Sequence, residues 1–263
     1  MRARKIGERI TTEVTTTDRI LRWPDETQKR VRTELRSMFR EAFPKTSEQD
    51  INTCVADVFK RPGRNFHRQV IFLREETGRL IALTIFDQGP VRYGDQSIKG
   101  VYVLIRVVVP KYQGIGLGYA LIAKIFVEWQ PDVLLTTCAQ SATLHSWVRL
   151  PQKIDITDFE VYPRLERDHS RTRLITVPPE ERNFVITAFK QTYIGVVDGD
   201  IDSVDNAIRE LTVHMVRKGI YKKMYDFHPW KKHGREDRLA IALGVTEKDG
   251  ILVVLRKNTT TKK

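Results

Sequence analysis

Three glycines at alternate positions, Gly114, Gly116 and Gly118, follow Gln113 inside the stretch Arg106 to Val127, RVVVPKYQGIGLGYALIAKIFV. The stretch opens as a β-branched run, turns at Pro110 and enters an apolar helical pattern with no polar linker between. That order predicts strand, glycine turn, helix. Glycine has no Cβ to hold an anion away from the backbone, and a new helix points its unpaired N–H groups and positive dipole end at the same spot. The chemistry on offer is anion binding, and a diphosphate suits it.

Two nucleotide-binding patterns fail here on spacing. Reading G-x-G-x-x-G from Gly114 puts Tyr119 in the third glycine position. The next apolar run, Val133 to Thr137, leads into Cys138-Ala139-Gln140 with no carboxylate to hold a ribose. A G-x-x-x-x-G-K-[ST] phosphate loop is also absent. What fits is Gln113-x-x-Gly116-x-Gly118, behind a β-branched strand and Pro110 and ahead of a hydrophobic helix. This resembles the signature of the GNAT acetyltransferase superfamily: Arg or Gln, two residues, Gly, one residue, Gly or Ala. The resemblance implies that backbone over Gln113, Gly114, Ile115, Gly116, Leu117, Gly118 and Tyr119 binds the pyrophosphate of acetyl-CoA. It also implies that Val107, Val108 and Val109 align the pantetheine arm, and that the acceptor is a small-molecule or protein amine.

Acetyl transfer to an amine needs a held thioester, a neutral amine and a stabilised oxyanion. Effective molarities of ~10⁵ to 10⁸ M are known for oriented reactants, so holding does much of the work. Neutralising a lysine-like amine at pH 7 costs about 4.6 kcal/mol, of which a positioned base recovers a part, typically ~10² to 10⁴ in rate. The oxyanion is met in such sites by a strand amide, expected near Val107 to Val109. Many GNAT members protonate the leaving thiolate with a tyrosine on the short helix after the fifth strand. That position falls at His145 here, which the resemblance makes the general acid, with Tyr102, Tyr119 or solvent as substitutes. No acid stands out as base. The strand Val101 to Val109 has no carboxylate, and Asp87, Asp95 and Glu128, each a candidate, read rather as surface residues.

These residues need a frame. Ile10, Val14, Ile20 and Leu21 among threonines predict a strand over residues 8–22. Pro24-Asp25-Glu26 opens a helix whose Val31, Leu35, Met38 and Ala42 share one face up to Pro44. Ser47-x-x-Asp50 caps a second, with Ile51, Cys54, Val55 and Val58, stopped by Pro62-Gly63. The period then changes to two: Gln69 to Arg74 and Arg79 to Phe86 predict a hairpin, followed by a polar loop from Asp87 to Lys99 and a strand over Gly100 to Val109. Leu117 to Trp129, Val133 to Thr137 and Ser141 to Val148 continue as helix, strand and helix. This is the GNAT order, and it implies a mixed, mostly antiparallel α/β sheet flanked by helices, whose fourth and fifth strands splay apart.

Residues 1–150 are thus expected to form the acetyl-CoA-binding core. Residues 151–263 are expected to complete the sheet and cap the acceptor side within one globule. Helices are predicted over Pro178 to Tyr193 and Ser203 to Lys218, a short one near Leu239 to Leu243, and a closing strand over Ile251 to Leu255 after an Asp249-Gly250 turn. The tail from Lys257 reads as frayed.

Composition sets the bounds. The 263 residues are enough to bury a core without staples. Two cysteines, Cys54 and Cys138, sit far apart in apolar runs, as in a reducing compartment. No run approaches a membrane span and the start lacks the apolar core of a secretory signal, so a soluble cytoplasmic protein is expected. A net charge of +12 attracts anions, CoA and nucleic acid alike. His228 and His233 share the loop HPWKKHGR without cysteine or carboxylate partners, so no metal is expected. Trp230 among lysines there supports a second reading: a GNAT-fold binding module without catalysis that contacts nucleic acid or a protein.

Overall fold

The computed structural model describes residues 9–63, 65–138, 141–168, 171–174, 178–196, 215–217, 231–232, 235–236 and 249–258. Strand β1 is Thr11–Thr16, where Thr16 accepts the Arg19 N–H at 3.1 Å and caps the short helix α1, Thr17–Ile20. The strand expected to run to residue 22 is cut short because this local hydroxyl cap competes with the ladder. Helix α2, Asp25–Ala42, starts after Pro24 with Asp25 and Glu26 against its dipole and buries Val31, Leu35, Met38 and Phe39. Helix α3, Glu48–Phe59, is capped by Ser47, which accepts the Asp50 N–H.

Strands β2 (His67–Arg74), β3 (Leu80–Tyr93) and β4 (Gln96–Val108) form an antiparallel meander. The polar loop expected from Asp87 to Lys99 is instead the far end of the β3–β4 hairpin, with pairs as far as Tyr93↔Gln96. Its breakers misled: Pro90 sits opposite Lys99 and Gly89 opposite Gly100. Space requires both glycines. A Cβ on Gly89 would lie 2.6 Å from Asn65 O, and one on Gly100 2.4 Å from Val91 Cγ2. Gly89→Ala is therefore expected to destabilise by about 1–3 kcal/mol, as overpacking does. An unchanged urea midpoint would contradict this.

The remaining elements are α4 (Leu117–Trp129), β5 (Val133–Cys138), α5 (Ser141–Val148), α6 (Leu150–Lys153), β6 (Phe159–Tyr162), β7 (Leu165–Asp168), β8 (Arg171–Leu174), α7 (Pro179–Val196), β9 (Met215–Arg217), β10 (Lys231–Lys232), β11 (Arg235–Glu236) and β12 (Asp249–Lys257). The main sheet runs β1-β2-β3-β4-β5-β12-β6, with β9 also on β12. Among its described pairs only β4 with β5 is parallel. This is the mixed, mostly antiparallel sheet flanked by helices that the resemblance implies.

The C-terminal part departs from expectation. Met215–Arg217 is a strand on β12 rather than the end of a helix, and Asp249-Gly250 pairs with it rather than turning. Lys257 belongs to β12 and its N–H donates to Asp132 O at 2.8 Å. The expected elements at 203–214, 221–230 and 239–243, and His228, Trp230 and His233, lie outside the described residues.

Sheet residues alternate between two clusters. Leu134, Val253 and Leu255 join the larger one, which holds α2 to α5. Val133, Leu135, Leu252 and Val254 pack with Phe184, Val185, Ala188 and Phe189 of α7. Both cysteines are free thiols, and burial pushes Cys54 up to about 11 and Cys138 up to about 12. Thiolate, the reactive form, is then scarce at pH 8. Thiol reagent should label the native protein slowly and both cysteines at once in denaturant; fast native labelling would contradict this burial. Among the described residues no helix is long and apolar enough to cross a membrane.

Candidate functional site

The β3–β4 register jumps from Ile85↔Ile105 to Phe86↔Val103, which leaves Leu104 as a bulge without a partner. Pairing of β4 with β5 runs from Gly100↔Val133 to Val103↔Thr136 and stops there. Both strands continue: β4 stays on β3 as far as Val108, and β5 stays on β12 as far as Cys138. A bulge bends its strand and disrupts the ladder, so the two strands part at this point and a wedge opens between them. At its apex Thr136 Oγ1 donates to Val103 O at 3.0 Å.

Which backbone groups face the wedge follows from alternation along an antiparallel strand. The Val109 N–H donates to Ile81 O at 3.0 Å, so Val109 and Val107 serve β3, while Val108 and Arg106 face away. Independently, Gln113 Nε2 donates to Val108 O at 2.9 Å from the wedge side. The amides available to an oxyanion are therefore those of Val108 and Arg106.

Beyond β4 a 3₁₀ turn, Pro110–Tyr112, leads into the glycines. Gly114 (φ +79) and Gly116 (φ +97) are left-handed, a conformation costly to residues with a Cβ. A Cβ at either would meet nothing within 4 Å, so the space in front of them is open. Gly116 caps α4, and its carbonyl accepts both the Tyr119 and Ala120 N–H groups at 3.0 Å. The five preceding amides, Gly114 to Gly118, donate to no described group. The turn is anchored from behind: buried Tyr112 donates to the Glu75 carboxylate, a bond that holds Glu75 below the usual carboxylate range.

A cavity of about 410 Å³ joins this cradle to the wedge, lined by the loop, Arg106 to Val108, and Ala142, Thr143 and Ser146 of α5. Of the expected residues it gathers Val107, Val108, Gln113, Gly114, Gly116, Leu117, Gly118 and Tyr119. Val109 is buried outside the lining and Ile115 is exposed. His145 is half-buried on α5 but not in the wall, which Ser146 and Thr143 form instead. Tyr102 packs in the α7 cluster, its hydroxyl 3.4 Å from Thr137 Oγ1.

The candidate bases all stand elsewhere. Asp87 is fully buried and paired with Arg68, Asp95 lies at the hairpin tip, and Glu128 pairs with Lys124. A larger cavity of about 760 Å³ beside α2 is lined by charges that already pair with one another, Arg74 with Glu34 and Arg79 with Glu41. Among the described residues no group of three His, Cys, Asp or Glu could hold a metal.

Reading the sequence missed Arg106. Its Nη2 donates to Ser146 Oγ at 3.1 Å, its guanidinium lies 4.6 Å from the Trp147 ring centroid, and its Nη1 is buried without a partner. The only available signal was a charge inside a β-branched run.

No protein-family model matches the chain, and no curated protein does. Solved structures share part of the fold. A GNAT-family acetyltransferase of Desulfovibrio desulfuricans, 13% identical, superposes over 62% of this chain and 92% of its own with a TM-score of 0.41. Tetrahymena GCN5 is 19% identical over 72% of this chain and 91% of its own, with a TM-score of 0.38. The GNAT N-acetyltransferase YhbS of Escherichia coli, solved with CoA, is 14% identical over 60% and 73%, with a TM-score of 0.35.

Proposed function

We propose that this chain is a GNAT-type acyltransferase that moves the acetyl group of acetyl-CoA to an amine. The observation that supports it most is the run of unsatisfied amides from Gly114 to Gly118 at the mouth of a wedge between two parted strands. Unpaired helix-terminal N–H groups bind phosphate oxygens well, and the outward groups of Val108 and Arg106 give an extended amide chain a strand to lie along. The thioester carbonyl then comes to the gap-facing amides near the bulge, which hold the developing oxyanion. The neutral amine nitrogen attacks this carbon, gives up one proton to solvent, the C–S bond breaks as the tetrahedral intermediate collapses, and the leaving thiolate takes a proton. Tyr119 lines the cavity, and His145 lies on the helix that forms its other wall; these two are the proposed donors.

Titration calorimetry with acetyl-CoA, followed by thiol release over a panel of small amines and peptides, tests the reading. We expect binding, and CoA release with at least one amine. Loss of turnover in Tyr119→Phe but not His145→Ala would assign the proton to Tyr119. The absence of any carboxylate from the described cavity wall favours one second reading, a module that binds CoA without catalysis. Binding with no turnover across the panel would establish that module, and no binding would remove both.

A further inference from the structure

Arg106 is a half-buried cation whose Nη1 is out of reach of solvent, and no described residue neutralises it. Among the described residues no carboxylate approaches the guanidinium: its hydrogen bond goes to a hydroxyl, its flat face meets Trp147, and Nη1 has no partner. Burial pushes its pKa down, yet an arginine stays protonated in proteins. A charge held this way is costly unless something negative arrives. Fully buried Arg68 shows the contrast, since it is held by both oxygens of Asp87 at 2.7 and 2.8 Å.

The place where the charge ends is specific. A Cβ on Gly118 would lie 3.9 Å from the guanidinium carbon, so Arg106 fills the space beside the first turn of α4, next to the last of the five free amides. Resting on the acyl-CoA reading, we propose that Arg106 is the built-in counter-charge of the diphosphate. It sets, through its field at the Gly114 to Gly118 cradle, a preference for donors that carry two linked phosphates. Between a partly buried charge and a nearby anion screening is weaker than at the open surface, so contact is not required.

Four ligands separate this from a packing role: CoA, dephospho-CoA, 4′-phosphopantetheine and pantetheine. Each is titrated against the unaltered protein, Arg106→Met and Arg106→Lys, with melting temperatures measured alongside. Arg106→Met is expected to weaken CoA and dephospho-CoA equally, by about tenfold or more. It should weaken phosphopantetheine less and leave pantetheine unchanged, and the salt dependence of CoA binding should flatten. Arg106→Lys keeps the charge and should retain most of the affinity. Equal losses for pantetheine and CoA, or CoA binding unchanged in Arg106→Met, would overturn the proposal while the acyl-CoA reading stands. If Arg106→Met does not fold, an Arg106→Lys variant that loses CoA and pantetheine alike overturns it just the same. Failure of the unaltered protein to bind CoA sinks the acyl-CoA reading, and this proposal with it.

Discussion

Gly116→Val is expected to abolish CoA binding and leave the protein folded. At φ +97 the backbone of Gly116 lies where an L-residue is strained by roughly 1–2 kcal/mol, more for a β-branched one. The chain relieves that strain by rotating out of the left-handed region, which swings the amides of Gly116 and Leu117 away from their common focus. A Cβ at this position meets no atom within 4 Å, so the substitution displaces no packed neighbour there. Where it does go is the open space in front of the loop. Calorimetry should show no CoA binding alongside a near-native melting temperature. Wild-type affinity in the variant would mean that the diphosphate, if bound at all, is held elsewhere.

The second large effect concerns stability. Asp87→Ala is expected to cost about 3–5 kcal/mol, because it strands the Arg68 charge inside the protein. Both side chains are at most 1% exposed, and Arg68 Nη1 also donates to Asp57 O at 2.7 Å, which ties β2 and β3 to the end of α3. Removing both charges together, as Arg68→Met with Asp87→Leu, is expected to recover most of the loss, since the desolvation of two ions disappears with their attraction. Guanidinium chloride denaturation of the three variants decides the matter. A loss below about 1 kcal/mol in Asp87→Ala would contradict a buried, dry pair. The double variant also separates fold from chemistry: if it regains both stability and activity, Asp87 is no base.

The glycine turn was legible because its signal is local. A glycine spacing, a preceding β-branched run and a following apolar helix all lie within the stretch Arg106 to Val127. Ser47 and the α2 stripe were legible for the same reason. The β3–β4 extension was not: Gly89, Pro90 and Gly100 are turn residues by type, and only their cross-strand neighbours make them strand. Nor could alternation name the gap-facing amides, since the bulge at Leu104 shifts the register of β4 on β3 and is itself a tertiary feature. Arg106 was missed because its meaning lies in Ser146 and Trp147, forty residues on, and in what is not there. His145 was placed by analogy of position; in the structure the neighbouring Ser146 faces the cavity.

The position of β12 sets an order of events during synthesis. It is the last described strand in chain order, yet it lies inside the sheet, with β5 on one side and β6 on the other. Until residue 257 has left the ribosome, β5 has no neighbour along the half that diverges from β4, and no strand holds it in place there. Nascent chains must therefore wait with an unclosed cleft beside the glycine loop.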